Sequence, residues 1–354
     1  MSKEKKLRIG ITHGDINGIG CEVILKSLSD ARMLELFTPV IYSSPKVIAY
    51  YRKALALTNL NTYSARSAEE AQDDRINVVN CLNDEVRVEM GKSTPQGGEA
   101  ALASLQAAVA EMKSGLLDVL VTAPINKFNI QSEKFRFAGH TEYLQSEFGS
   151  SNVLMLMLCD SLRVGVLTGH VALAQAPALV TQNKLQSALR LLNRTMLEDF
   201  GINRPRIAVL SLNPHGGDNG LLGAEEQTII LPAIEKVKND GILAFGPYPS
   251  DGFFGTDNYR KFDVILSMYH DQGMTAFKTL SSGKGVNYTA GLPIIRTSPA
   301  HGTAYDLAGK DLESPDSFRH AIYMACDIAA NRKQHQALKA NAMKEVEIKE
   351  GEDN

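Results

Sequence analysis

Short apolar segments rich in β-branched residues alternate along the chain with longer segments in which apolar positions recur at helical spacing. The first kind predicts buried strands. The second predicts amphipathic helices, for example residues 97–115 and 182–201. Continuous apolar strands separated by helices are typical of a sheet covered on both faces, so the pattern predicts an α/β protein with a largely parallel sheet. The predicted strands are residues 7–12, 38–43, 76–80, 117–123, 152–158, 162–168, 206–212 and 262–268.

The chain has 354 residues, more than one hydrophobic core usually organises, so its length predicts two lobes. Because no linker rich in Gly, Ser or Pro separates them, we expect the lobes to share a continuous sheet or to exchange strands. The charged tail, residues 343–354, is expected to fray.

Composition narrows the possible partners. The net charge of -3 argues against nucleic acid, and no apolar run approaches the length of a membrane-spanning helix. The first residues lack the apolar segment of a signal peptide. The four cysteines lie far apart without a CxxC pair, which predicts reduced thiols in a cytoplasmic protein.

Polar or glycine-rich motifs follow five of the predicted strands. Ligands of such folds gather at the carboxyl ends of the strands, so these motifs predict one shared site. They are "HGDINGIG", "PINK", "GHVAL", "NPHGGDNG" and "YHDQGM".

Three of the eight histidines, His170, His215 and His270, occupy equivalent places just after a strand. Three neutral imidazoles with an open fourth position are typical of a catalytic metal site. The spacings match no short zinc motif, so hydrogen-bonded loop histidines remain an alternative on the sequence alone.

Other polar residues near the strand ends have two interpretations each. Asp251 and Asp271 are candidates to orient a ligand, contact substrate or move a proton, or they form turns and caps. His140 and Thr141 begin a predicted helix, whose N-terminus favours an anion or is simply capped. The side chains of a last group either bind a phosphate or carboxylate group or lie on the surface. This group consists of Lys278, Asn287 and Arg296.

Two glycine-rich segments are candidates for a nucleotide. "GDINGIG" resembles a phosphate loop but fits neither common glycine motif, and a tight strand-to-helix turn explains it equally well. The segment 297–310 has small residues that let a flat ring approach the backbone, and Asp306 can reach a ribose hydroxyl. An ordinary loop remains the alternative.

Six motifs occur in the order found in the 4-hydroxythreonine-4-phosphate dehydrogenase family, which the chain resembles from about residue 7 to 330. They are "GDINGIG", "VTAPINK", "FAGHTEYL", "LNPHGGDNG", "YHDQGMTAFK" and "GVNYTAGLPIIRTSPAHGTAYDLAGK". The "HGTAYDLAGK" loop also resembles the adenine-binding loop of isocitrate and isopropylmalate dehydrogenases. The resemblance implies their two-lobed fold, with a cofactor-side lobe (1–125 plus 285–354) and a metal, substrate and dimer-interface lobe (126–284).

The resemblance further implies a metal-dependent, NAD(P)-linked oxidation and decarboxylation of 4-phosphohydroxy-L-threonine to 3-amino-2-oxopropyl phosphate, in pyridoxal phosphate biosynthesis. The family is a homodimer whose active sites lie at the interface and take metal ligands from both chains. One divalent ion per subunit is implied; three imidazoles favour zinc, with magnesium, manganese or cobalt as alternatives.

The family's roles carry over by position. The implied metal ligands are His170, His215 and His270, and the implied substrate contacts are His140, Thr141, Lys278, Asn287 and Arg296. The adenosine end of NAD or NADP is predicted on His301, Gly302, Thr303, Ala304 and Asp306.

Three positions depart from the family pattern. Ile16 and Cys21 stand where its first motif has prolines, and Gly252 stands where threonine is frequent, so we expect a changed substrate pocket. Sister dehydrogenases with the same histidines oxidise threonate or erythronate 4-phosphate. A phosphate acyltransferase of related fold is the third interpretation, and the three histidines and the "HGTAYDLAGK" loop argue against it.

Overall fold

The structure, a computed structural model, describes residues 6–83 and 85–341, so the predicted fraying tail lies outside the described residues. Within these ranges the strands belong to one sheet. In chain order they are β1 (Leu7–Thr12), β2 (Phe37–Ser43), β3 (Thr62–Ala65), β4 (Ile76–Asn80), β5 (Val119–Thr122), β6 (Leu154–Cys159), β7 (Leu162–Thr168), β8 (Arg206–Leu210), β9 (Leu243–Tyr248), β10 (Val264–Tyr269), β11 (Val286–Ala290) and β12 (Arg296–Pro299).

Helices connect most of these strands and cover the sheet. They are α1 (Gly20–Leu28), α2 (Met33–Leu36), α3 (Pro45–Ala54), α4 (Pro95–Lys113), α5 (His140–Glu147), α6 (Ala176–Leu179), α7 (Gln182–Glu198), α8 (Leu231–Asn239), α9 (Ser250–Gly255), α10 (His270–Ser281) and α11 (Asp316–Ala340). The two longest predicted helices correspond to α4 and α7. Each begins after a threonine whose hydroxyl accepts a hydrogen bond from the first turn, as expected of an N-cap.

The sheet is continuous and mostly parallel, in the order β3-β4-β2-β1-β5-β12-β11-β6-β7-β10-β8-β9. This confirms the prediction of a largely parallel sheet flanked by helices. The exceptions are three consecutive antiparallel pairings at the centre of the sheet, β12 with β11, β11 with β6 and β6 with β7. The parallel strands on the two sides of this centre therefore run in opposite directions. Only Asp160 and Ser161 separate β6 from β7, and a two-residue connection permits a hairpin but no crossover.

Every strand predicted from the apolar pattern is present, but β3, β9, β11 and β12 were missed. The sequences of β11 (VNYTA) and β12 (RTSP) are rich in polar residues although most of their residues are buried. The strand β9 contains a glycine and a proline and lies at the edge of the sheet, where a missing N–H is tolerated. A search for apolar runs therefore passes over them.

The core lies against both faces of the sheet. All seven residues of β2 are buried, and so are five of the six residues of β10. In α7 the buried face includes Leu185, Leu189 and Leu192, as their spacing predicts. The apolar run 152–158 is largely buried within the single chain, so its composition gives no argument for a subunit interface.

The described residues include no helix with the length and apolar character needed to cross a membrane. All four cysteines are unpaired, and Cys21 is buried.

Candidate active site

A pocket of about 230 Å³ opens at the carboxyl ends of β5, β7 and β10, beside β11 and β12. Eight of the predicted site residues form part of its wall: His140, His170, His270, Lys278, Asn287, Arg296, His301 and Gly302. The other predicted site residues lie outside the wall: Thr141, His215, Asp251, Asp271, Thr303, Ala304 and Asp306. Of the five strand-end motifs, "PINK", "GHVAL" and "YHDQGM" reach this pocket within one chain, whereas "HGDINGIG" and "NPHGGDNG" do not.

His170 and His270 are neighbours in this pocket, with ring centroids 5.8 Å apart. They meet because β7 and β10 are parallel and paired in register, so their carboxyl ends coincide. The Nδ1 of His270 is 2.7 Å from the carboxylate of Asp271, and the Nδ1 of His170 is 3.8 Å from that of Glu142. Carboxylates in this position orient metal-binding histidines through Nδ1. The Nε2 of His170 lies 3.2 Å from the Nζ of Lys127, so a metal ion bound there would displace this contact.

His215 is not part of this pair. It begins a run of five residues, 215–219, in the left-handed region with φ between 43° and 77°. The buried Glu226 holds the preceding segment by accepting hydrogen bonds from the backbone N–H groups of Leu212 and Asn213, both at 2.8 Å. Among residues 6–83 and 85–341, no three His, Cys, Asp or Glu side chains are grouped for a metal ion. One chain thus supplies two neighbouring imidazoles, a donor set that suits a divalent ion once a third ligand joins.

Arg296 is a buried cation at the base of the pocket, with 3% of its surface exposed. Its Nε and Nη2 donate to the hydroxyl of Thr122 at 3.0 and 2.7 Å, and its Nη1 donates to that of Thr289 at 3.3 Å. Burial lowers the pKa of the guanidinium to about 10, so it keeps its charge at neutral pH. Since the hydrogen-bonded hydroxyls are neutral, this charge is available to an anionic ligand.

Three further atoms near the pocket are buried without a hydrogen-bond partner among the described residues: Nε2 of His140, Oδ1 of Asn287 and Nε2 of His301. Burial, together with Arg296 and Lys127, holds the pKa of His140 well below its ordinary value. Burial also lowers the pKa of His301. Buried polar atoms in proteins are nearly always paired, so their grouping here favours a polar ligand.

The remaining predicted side chains surround the pocket at different depths. Lys278, in the last turn of α10, forms part of the wall. The hydroxyl of Thr141 lies 3.5 Å from that of Thr289 and thus borders the Arg296 cluster. Asp271 is 85% exposed and contacts His270, which suits an orienting role, whereas Asp251 is exposed on α9.

Two residues of the site were missed at the sequence level. The Nζ of Lys127, from the "PINK" motif, is 3.2 Å from Nε2 of His170. Glu142, from "FAGHTEYL", places its carboxylate 3.8 Å from Nδ1 of His170. The sequence did contain a signal for both residues, because "PINK" follows a predicted strand and "FAGHTEYL" contains the start of a predicted helix.

The glycine-rich first loop does not meet the pocket. All residues from 13 to 20 are buried, which favours the tight-turn interpretation over a phosphate loop. Ile16 and Cys21 are fully buried in the apolar core, and Gly252 is exposed on α9. The expectation that Ile16 and Cys21 reshape the substrate pocket is therefore wrong, because neither side chain reaches its wall.

Comparison with known proteins agrees with a dehydrogenase of the type this fold and site suggest. The profile of the family described as "Pyridoxal phosphate biosynthetic protein PdxA" matches residues 35–325. A curated relative from Bacteroides thetaiotaomicron, named 4-hydroxythreonine-4-phosphate dehydrogenase, is 53% identical over 99% of this chain and 97% of its own length. The chain belongs to the PdxA family and is an oxidoreductase.

Solved structures support the same conclusion for the fold. The 4-hydroxythreonine-4-phosphate dehydrogenase of Klebsiella pneumoniae superimposes with a TM-score of 0.78 at 32% identity, covering 93% of this chain and 99% of that one. An isocitrate dehydrogenase from Methylococcus capsulatus, with a TM-score of 0.50 and 11% identity over 94% of this chain and 89% of that one, shares the fold alone. A further curated relative, from Oceanobacillus iheyensis, is named "Putative D-threonate 4-phosphate dehydrogenase" and is 35% identical over 93% of this chain and 99% of its own.

Proposed function

We propose that this protein oxidises and decarboxylates 4-phosphohydroxy-L-threonine, giving 3-amino-2-oxopropyl phosphate, with NAD or NADP as hydride acceptor. The observation that carries the proposal is the buried cation Arg296, whose hydrogen-bond partners are neutral hydroxyls at the base of a polar pocket. A substrate with a phosphate and a carboxylate supplies the missing negative charge. Membership of the family favours this reaction over that of a phosphate acyltransferase.

The side chains of the pocket bind and orient the substrate. Arg296 and Lys278 attract its anionic groups, and a phosphate distant from the reacting carbon gives binding energy that fixes orientation. His140 is neutral, with Nε2 unpartnered among the described residues, so it can hydrogen-bond the reacting hydroxyl or the carboxylate. Asn287 offers a second unpartnered atom, its Oδ1, to a donor of the substrate.

The reaction balances as one oxidation and one loss of carbon dioxide. The hydroxyl proton leaves, a hydride passes from the same carbon to the nicotinamide, and the β-keto acid then breaks its bond to the carboxylate carbon and takes up a proton. A divalent ion held by His170 and His270 would polarise the hydroxyl and stabilise the negative charge that develops when carbon dioxide departs. The orientation of both rings by Asp271 and Glu142 prepares them for such an ion.

The proposal includes a homodimer in which a second copy contributes the third histidine to each site. Exposed apolar side chains follow both relevant loops: Leu173, 69% exposed, comes after His170, and Leu221, 78% exposed, comes after His215. Such side chains favour an interface beside the two loops. We place the dimer in the cytoplasm because its four cysteines form no disulfide.

The second candidate substrate is D-threonate 4-phosphate, favoured by the relative that carries that name. It has a hydroxyl where 4-phosphohydroxy-threonine has an amino group, and the same chemistry would give dihydroxyacetone phosphate. The testing experiment measures NADH and NADPH formation with 4-phosphohydroxy-L-threonine, D-threonate 4-phosphate and erythronate 4-phosphate. The highest kcat/KM is expected for 4-phosphohydroxy-L-threonine.

A higher kcat/KM for either sugar-acid phosphate would reassign the protein to a sister dehydrogenase. The variant Lys278→Ala provides the second arm. It should lower kcat/KM at least about tenfold through loss of a charge-assisted contact, with cofactor affinity unchanged. Equal losses for substrate and cofactor would contradict the role given to Lys278.

A further inference from the structure

The motif "GDINGIG" has no part in the proposed chemistry, yet its acidic residue is the centre of a buried network. Asp15 is fully buried. Its Oδ1 accepts a hydrogen bond from the backbone N–H of Asn17 at 2.9 Å. Its Oδ2 accepts from Nδ2 of Asn129 at 2.7 Å and from the hydroxyl of Tyr305 at 2.8 Å. Three donors on one buried carboxylate compensate for the loss of its hydration.

Tyr305 belongs to the segment 301–306 on which we place the adenosine end of the cofactor, referred to below as the cofactor loop. Two other contacts join this part of the chain to the first loop and α1. The N–H of Ile19 donates to the carbonyl of Thr303 at 3.0 Å, and the carboxylate of Glu22 accepts from the N–H of Gly309 at 3.2 Å. The first loop and the start of α1 therefore form the support of the cofactor loop.

We infer that Asp15 is a positioning residue: through the Tyr305 hydroxyl it holds the cofactor loop in the conformation that receives the dinucleotide. This inference rests on the proposed function, which assigns the cofactor to that loop. The loop needs such support because Ala304 has a φ of 42°, in the left-handed region that a residue with a Cβ disfavours. Loss of the bond lowers the fraction of molecules whose loop is ready to bind, and the apparent Kd rises by the same factor.

The bond to Tyr305 can be removed without disturbing the substrate side of the site. Asn129, which lies two residues after Lys127, also donates to the carbonyl of Thr94 at 3.0 Å. The carboxylate of Asp15 also keeps its bonds to Asn17 and Asn129 when only the phenol is lost. Tyr305→Phe is therefore the selective change, and Asp15→Asn is the broader one.

The experiment uses the full-length protein and measures the Kd of NADH and of NADPH by nucleotide fluorescence, the substrate KM at saturating cofactor, and the melting temperature. Tyr305→Phe and Asp15→Asn should each raise the cofactor Kd about tenfold, as expected for a charge-assisted hydrogen bond. The cofactor Kd of the double variant should not exceed the higher of the two single-variant Kd values, because both changes remove the same contact. The substrate KM should stay unchanged. Tyr50→Phe is the matched control, since Tyr50 is 47% exposed on α3.

Comparison with His301→Glu separates this inference from the proposed cofactor site. If His301→Glu weakens dinucleotide binding while Tyr305→Phe does not, the inference is wrong and the cofactor site stands. If none of these variants changes cofactor Kd, the cofactor binds elsewhere and both ideas are wrong. Parallel changes in cofactor Kd, substrate KM and melting temperature would show a general structural role and overturn the inference. Should Asp15→Asn fail to fold, Tyr305→Phe decides.

Discussion

Replacing Arg296 with methionine should leave the fold intact while removing most of the activity. The side chain is buried, and burial lowers the pKa of its guanidinium from 12.5 to about 10. That shift corresponds to about 3 kcal/mol of destabilisation of the charged form in the free protein. Methionine removes this cost, and it also removes three hydrogen bonds, two to Thr122 and one to Thr289, worth about 1 kcal/mol each. The two effects nearly cancel, so the free energy of unfolding should change little.

The effect on catalysis should be large, because the variant loses the charge that we assign to binding of the anionic substrate. A charge-assisted contact is worth about 1.5–3 kcal/mol, which corresponds to a loss of about 10- to 150-fold in kcat/KM. The dinucleotide Kd should stay the same. Steady-state kinetics and thermal unfolding, with and without inorganic phosphate, measure both effects; phosphate should stabilise the wild type and not the variant.

The control is Arg163→Met, which removes a half-buried arginine on β7 that stacks over Phe200, away from the pocket wall. It should keep full activity and the response to phosphate. The argument for Arg296 would be refuted by a loss of stability of about 3–5 kcal/mol, the cost expected when a buried ion pair is broken. In that case the guanidinium would be a structural element of the sheet and not an anion-binding group.

Three further predictions concern histidines. His215→Ala should remove most bound divalent metal and nearly all turnover, and elemental analysis showing one ion per chain in that variant would contradict its role as a ligand. Inactive His170→Ala and His215→Ala proteins, when mixed and reassociated, should recover about a quarter of wild-type activity, since about half the dimers are mixed with one complete site each. No recovery despite proven subunit exchange would place both histidines of a site on the same chain. Burial lowers the pKa of His13 to about 4 from its ordinary 6.5. The unfolded chain therefore binds more protons as the pH falls from 6.5 to 4, and the free energy of unfolding should fall by up to about 3 kcal/mol. His13→Gln should lose this part of the pH dependence in denaturant titrations, and an unchanged slope would contradict it.

The sequence predicted the sheet well where strands are apolar and poorly where they carry the site. In β11 and β12, Asn287, Thr289, Arg296 and Ser298 are polar because they face the pocket or hydrogen-bond its residues. Their strand character depends on neighbouring strands and not on their own hydrophobicity, so no local pattern reveals it. The polar residues that made these strands hard to predict are the same residues that belong to the candidate site.

The site was predictable where strand ends coincide and was not where loops bend away. His170 and His270 meet because two parallel strands end together, which the apolar pattern implies. The loop of His215 follows β8, a strand that was predicted equally clearly, but five consecutive residues with left-handed backbone angles determine the path of the loop. Such backbone angles depend on contacts such as those of Glu226, which lies eleven residues further on and which the motif itself does not contain.

The burial of the first loop beneath the cofactor loop bears on how this enzyme can be re-engineered. A methyl group added to Gly18 would lie 2.6 Å from the carbonyl oxygen of Thr303, so the cofactor loop would have to move. A substitution at position 18 is thus expected to alter dinucleotide preference without touching the dinucleotide. Laboratory selection for a different cofactor should therefore collect compensating changes among residues 14–20, which pack against the loop on which we place the ribose.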